Sequence, residues 1–287
     1  MAQVTKLGNT LLLDRVTGKP IFPFRLRRAP TSKLPGEQTW PYQPDLELSE
    51  PFVRQTFNLD EVTDIGPENR ESVLKQLQGV NFGWFEPFEA YRPTVFFGIH
   101  GGAEWTGAAF DPSTGWLYVS ANELPWIITV FPHLKPLIRN PDEPPTAGEL
   151  VYQQHCGKCH GLQREGLQTA PHLLALDKRT DDEDVIRLLE TGRNLMPANP
   201  LLTSQQRKDV VDFIFDRDRP EPKYQLQERG ERPSYLFNGY PRLLDHEGYP
   251  GCKPPWGTLN AINLNSGKIA WKVPLGDAYV AFALPNP

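Results

Sequence analysis

The chain has 287 residues, 39% of them apolar, and a formal net charge of −5 with both signs scattered along it, which is the make-up of a globular chain with one large core or two ordinary ones. No basic stripe offers itself to a phosphate backbone, which sets nucleic acid aside as a partner. No apolar run reaches the roughly 18 residues of a membrane span, since the longest candidate, Leu124 to Phe131, is short and contains Pro125.

The 30 prolines, about twice the average proportion, crowd into Pro20 to Pro51, Pro132 to Pro145 and Pro220 to Pro255, and long helices are excluded there. No charged start followed by an apolar core and a cleavage site is visible. Three cysteines are too few for a disulfide framework.

In chain order, Val4-Thr5-Lys6-Leu7-Gly8 comes first. Asn9 to Arg15 then reads as a strand closed by the turn Val16-Thr17-Gly18-Lys19. Pro20 to Pro93 reads as irregular. Gly101-Gly102-Ala103-Glu104-Trp105 leads into a hairpin of Ala108-Ala109-Phe110-Asp111, the turn Pro112-Ser113-Thr114-Gly115, and Leu117-Tyr118-Val119.

The pattern then changes to helical. Gly148 to His155 reads as a short amphipathic helix carrying Leu150, Val151 and Tyr152, and it runs into Cys156-Gly157-Lys158-Cys159-His160. Two cysteines two residues apart and followed by histidine form the haem c attachment pattern: the thiols Cys156 and Cys159 add to vinyl groups and the imidazole of His160 reaches the iron. Zinc, with His155 and His172 nearby, and a redox Cys-x-x-Cys are the other uses of such a pair. Thr180-Asp181-Asp182-Glu183 reads as a capping box opening a helix that Gly192 stops. Met196, the only methionine besides Met1, stands 36 positions after His160 in Asn194-Leu195-Met196-Pro197. A soft thioether there suits the second axial position; the other fate of such a side chain is to fill a core gap. Thr203-Ser204-Gln205-Gln206 opens a further helix with Val210, Val211, Phe213 and Ile214 on its apolar face.

After Pro220 the β pattern returns. Cys252 reads as a small thiol packed in a Gly/Pro-rich loop. Thr258 to Trp271 is a hairpin turning at Asn265-Ser266-Gly267, so one Asp/Asn-x-x-Ser/Thr-Gly grammar occurs three times. Such repetition points to blades of a β-propeller.

Two resemblances follow from these motifs. Residues 143–219 resemble a class I cytochrome c domain, which implies that the carbonyl of Pro171, in Ala170-Pro171-His172-Leu173, orients the imidazole of His160; the family commonly has glycine at Ala170. The flanks resemble the quinoprotein dehydrogenases, propellers that bind pyrroloquinoline quinone (PQQ) with calcium and oxidise alcohols or sugars. Ala261 to Trp271 is similar to their tryptophan-docking motif, and Leu13 to Gly18 to its counterpart in another blade, with Phe22 or Phe24 near the usual tryptophan. Pro254-Pro255-Trp256-Gly257 and Gly101 to Trp105 also match.

The resemblance implies that Lys6 contacts the ortho-carbonyls of the quinone; its alternative is a solvated strand end. The family has asparagine where this chain has Glu104, whose carboxylate an anionic cofactor repels unless it is protonated or bridged by a cation. Trp105 either lies at the quinone or packs between blades. The implied fold is mixed, a partial β-propeller interrupted by a small all-α cytochrome c domain, with boundaries at 1–142, 143–219 and 220–287. The resemblance further implies that electrons from an alcohol or sugar would pass through PQQ and haem c to a soluble carrier or the quinone pool, in the bacterial periplasm. The family's catalytic aspartate and calcium carboxylate lie upstream of the matched lysine. The flanks supply three or four of the four to eight blades a propeller needs, so an incomplete polypeptide, inactive alone, is the expectation. The alternative is a standalone electron carrier whose degenerate propeller binds a partner.

Overall fold

The computed structural model describes residues 1–99, 101–137, 142–167, 170–193, 195–219, 223–230 and 232–275, apart from the side chains of 104–106 and 229. The chain divides into two compact units, one formed by Met1–Val130 with Phe237–Pro287, the other by Phe131–Leu236.

The first unit is built around one four-stranded antiparallel sheet, in the order Lys268–Pro274, Gly257–Asn263, Trp116–Asn122, Ala103–Asp111. Its two middle strands come from opposite sides of the second unit in the sequence, and they pair from Gly257↔Asn122 to Asn263↔Trp116. The strand Trp116–Asn122 alternates strictly. Leu117, Val119 and Ala121 are buried with Phe52, Val53 and Ile262, while Trp116 and Tyr118 stand on the other face beside Trp271.

The three repeated turns share one mechanism. Asp14 accepts backbone N–H groups from Val16 and Thr17, Asp111 from Ser113, and Asn263 from Asn265 and Ser266. Each turn then closes on a left-handed glycine, with φ of 72° at Gly18, 73° at Gly115 and 72° at Gly267, a geometry other residues adopt at a cost.

Elsewhere the unit departs from the expectation of three or four blades. Its remaining strands form one three-stranded sheet and isolated pairs, and among the described residues no sheet closes on itself. The stretch read as irregular also contains helix α1 (Pro67–Gln76), with Pro67 in its first turn and Val73 fully buried beside Phe57, Val62, Leu243 and Cys252. Proline costs nothing in that first turn, where its missing N–H has no partner to lose.

A charged knot ties distant segments of this unit together. Glu123 is 2% exposed. Arg54 Nε and Lys272 Nζ donate to its two carboxylate oxygens at 2.8 and 2.7 Å. Arg54 also reaches Glu61 Oε2 and the carbonyls of Lys253 and Pro255.

The second unit holds helices α2 (Ala147–His155), α3 (Gly157–His160), α4 (Asp182–Thr191) and α5 (Ser204–Ile214). Within 143–219 the longer regular elements are helices. The compact unit as a whole is not all-α, because Leu134–Pro136 pairs with Tyr224–Leu226 and Glu228–Arg229 with Arg232–Pro233. Helices α2 and α5 meet at Gly148, where a Cβ would lie 2.0 Å from the Asp209 carbonyl oxygen, and at Tyr152 and Phe213, whose ring centroids are 5.1 Å apart. Val151 and Tyr152 are buried, whereas Leu150 points outward at 52% exposure. Thr203 and Gln206 form the capping box of α5. The cap of α4 falls one residue later than the sequence suggests, because Asp181, not Thr180, accepts the Asp184 N–H.

Candidate functional site

Cys156 ends α2 and begins α3, and its carbonyl accepts the N–H groups of both Cys159 and His160. One tight turn therefore carries all three motif side chains. Cys156 is half-buried against the helical core, Cys159 is exposed and His160 is 8% exposed; both cysteines are unpaired. Burial, with Cys159 beside it, pushes the Cys156 thiol up to about 11, so the group is held as a neutral thiol.

His160 Nδ1 lies 2.8 Å from the Pro171 carbonyl oxygen. That oxygen can only accept, so Nδ1 carries the proton and Nε2 keeps its lone pair. The intervening loop is closed by Gly166 N–H to His160 O and by Leu173 N–H to Arg164 O. Gly166 is required at φ 81°, since a Cβ there would lie 2.6 Å from the His172 nitrogen.

Arg164 is the residue that sequence reasoning missed. It is 3% exposed, donates from Nη1 to the carbonyls of Phe213 and Ile214 at the end of α5, and pairs through Nη2 with Asp216 at 2.8 Å. It thereby anchors the histidine loop to the helix that carries Phe213, and a cation at a helix C-terminus suits the dipole.

Met196 is half-buried against the same apolar cluster as Cys156. Reciprocal hydrogen bonds between Arg193 and Met196 hold its loop, and Gly192 leaves no room for a Cβ beside the Met196 carbonyl and Ala198. Asn194 lies outside the described residues. Two free thiols, an imidazole with only Nε2 available, and a thioether on the same core form a donor set that fits covalent haem. Among the described residues, no three His, Cys, Asp or Glu side chains gather as a metal ion would require, so the zinc arrangement has no ligand set there.

In the first unit, Lys6 and Gly101-Gly102 come together. Gly102 N–H donates to the Lys6 carbonyl at 2.6 Å, and Lys6 Nζ donates to Ile99 O at 3.0 Å. A Cβ at Gly102 would sit 2.9 Å from Gly8 N. The Lys6 side chain is exposed with one hydrogen-bond partner among the described residues, which leaves donors for an anionic, carbonyl-bearing ligand. The side chains of Glu104 and Trp105 lie outside the described residues, although their backbone belongs to the strand Ala103–Asp111. Cys252 is fully buried, and burial pushes its thiol up to about 12.

Residues 1–174 and 191–287 match the family model described as the β-propeller domain of glucose/ethanol/alcohol dehydrogenases, PQQ type. Residues 143–214 match that of the cbb3-type cytochrome c oxidase subunit III. Among curated proteins, the chain is 31% identical over 125 residues to the glycerol dehydrogenase large subunit of Gluconobacter thailandicus, covering 42% of this chain and 17% of that protein. It is 28% identical over 158 residues to the quinoprotein glucose dehydrogenase of Gluconobacter oxydans, covering 53% and 19%. Over 273 residues it is 20% identical to the quinate/shikimate dehydrogenase (quinone) of Acinetobacter baylyi, covering 95% and 25%. The chain thus matches a quarter or less of the length of these relatives.

Proposed function

Because the chain belongs to the glucose/ethanol/alcohol dehydrogenase β-propeller family, we propose that it serves a PQQ-dependent quinohaemoprotein dehydrogenase, oxidising a small alcohol or sugar and relaying electrons through a covalent haem c. The observation that carries the relay is His160 Nδ1 bonded to Pro171 O, with Cys156 and Cys159 unpaired on the same turn.

In this reading Cys156 and Cys159 would hold haem c through their thiols, His160 Nε2 and Met196 Sδ would ligate its iron, and Lys6, with Glu104 and Trp105, would hold the quinone. When bound, the quinone accepts two electrons from substrate and the haem supplies a one-electron couple. Pro171 holds the Nδ1 proton and so raises the basicity of Nε2. Met196 offers a soft donor that favours the reduced metal. Lys6 places a positive charge where carbonyl oxygens gain electron density. Calcium, which the family resemblance implies beside the quinone, is assigned no ligand in this chain. The acceptor is a soluble carrier or the quinone pool, and the compartment is the periplasm; no described helix is long and apolar enough to cross a membrane.

The test is production of the chain with a haem c attachment system, followed by haem staining on a denaturing gel. The native chain retains haem, and the double variant Cys156→Ser, Cys159→Ser releases it. Loss of haem from the native chain on denaturation contradicts the reading.

A further inference from the structure

Tyr152 touches both ends of the turn that carries the haem motif. Its carbonyl accepts the Cys156 N–H at 2.8 Å, and its hydroxyl donates to the Gly161 carbonyl at 2.7 Å. Gly161 directly follows His160. The Tyr152 side chain is fully buried, and burial, with Cys156 beside it, pushes the hydroxyl well above its ordinary range. It therefore stays protonated and a donor at neutral pH. Packing on Phe213 requires only the ring, so the hydroxyl is accounted for by Gly161.

The Gly161 oxygen is where the histidine loop takes its direction. It also accepts the Arg164 N–H at 3.2 Å, closing a turn in which Arg164 holds a left-handed backbone at φ 65°. A residue with a side chain adopts that conformation only where its surroundings enforce it. The Arg164 carbonyl in turn accepts the Leu173 N–H at 2.8 Å. Two residues before Leu173, Pro171 presents its carbonyl to His160 Nδ1. The hydroxyl is thus linked to the acceptor of the imidazole proton by two main-chain hydrogen bonds and two short chain segments.

We propose that the Tyr152 hydroxyl is a positioning residue for the axial imidazole: it holds the turn from Gly161 to Arg164 and so keeps the Pro171 carbonyl on His160 Nδ1. The proposal rests on the reading of His160 as a haem ligand. Without the hydroxyl the turn relaxes, the Nδ1 bond weakens, and Nε2 becomes a poorer donor to the metal, which favours the reduced state.

Spectroelectrochemical titration of the haem-loaded 287-residue chain tests it. Tyr152→Phe keeps the ring and raises the reduction potential, shifting the one-electron equilibrium roughly two- to fivefold toward the reduced form, the scale of part or all of one hydrogen bond. In the double variant Tyr152→Phe, Pro171→Ala the shift is smaller than the sum of the two single shifts, because both act through one bond. A hydroxyl with a merely structural role lowers the denaturant midpoint and leaves the potential where it was. If Tyr152→Phe does not retain haem, 3-fluorotyrosine at position 152 carries the test, since its more acidic hydroxyl donates more strongly and lowers the potential. An unchanged potential in the haem-loaded variant, or fully additive shifts, overturns the proposal alone. A native chain that carries no covalent haem overturns the haem reading, and this proposal with it.

Discussion

The Pro171 carbonyl oxygen lies 2.8 Å from His160 Nδ1, so a backbone group eleven positions downstream sets the tautomer of the motif histidine. Donation from Nδ1 makes Nε2 a stronger donor, which favours the oxidised metal. Pro171→Ala keeps the carbonyl but frees its backbone, and the reduction potential should rise. Loss of about 1 kcal/mol corresponds to roughly 40 mV for a one-electron couple. Spectroelectrochemical titration measures it; an unchanged or lowered potential contradicts the role given to Pro171.

Glu123 is the centre of the other unit's charged knot. Glu123→Gln removes the carboxylate shared by Lys272 and Arg54, whose side chain is 17% exposed, and leaves Arg54 only Glu61 as a charge partner. Breaking a buried pair on one side costs about 3–5 kcal/mol when the remaining charge is uncompensated; with Glu61 still on Arg54, denaturant unfolding of this unit should be destabilised by less than that, and an unchanged midpoint contradicts the role given to Glu123. Reversal of Arg54 and Glu123 by exchange does not restore stability, because the Lys253 and Pro255 carbonyls need donors from the position of Arg54.

His172 gives the second unit a pH dependence. Burial, then the positive charges of Arg179 and His133, hold its pKa below the ordinary 6.5. Between the folded and unfolded values the unfolded chain binds more protons, so stability is full above about 6.5 and falls as the pH drops through the lowered value. His172→Gln should flatten that fall in denaturant midpoints taken from neutral to acid pH. A variant as acid-sensitive as the native chain removes His172 from the account.

Lys6 offers a direct check on the quinone. Calorimetric titration of the complete protein with PQQ and calcium should show binding, and about a tenfold weakening in Lys6→Ala, the loss of one charge-assisted hydrogen bond. No binding by the complete protein favours the standalone carrier.

Much of this was legible because the chemistry is local. Asp14, Asp111 and Asn263 each cap their own turn within three residues and need a glycine at one offset, so the hairpins are written in short stretches. The capping box of Thr203 is equally local. At α4, Thr180 and Asp181 are both competent caps, and the sequence alone does not choose between them. Helix α1 was hidden because Gly66 supplies no capping side chain and Pro67 looks like a breaker. Arg164 was invisible for another reason. Arginine is ordinarily solvated, and its partners, Phe213, Ile214 and Asp216, lie about fifty residues away. The same holds for Glu123 and Arg54, and for the pairing of Trp116–Asn122 with Gly257–Asn263 across the second unit's sequence.

Ligation of a haem c by His160 and Met196 is read from the absorbance spectrum of the oxidised chain. The native chain should give a low-spin spectrum with the long-wavelength sulfur-to-iron charge-transfer band, and Met196→Ala should lose that band with haem still covalently attached. A native spectrum without the band, or a band that survives in Met196→Ala, contradicts that ligation.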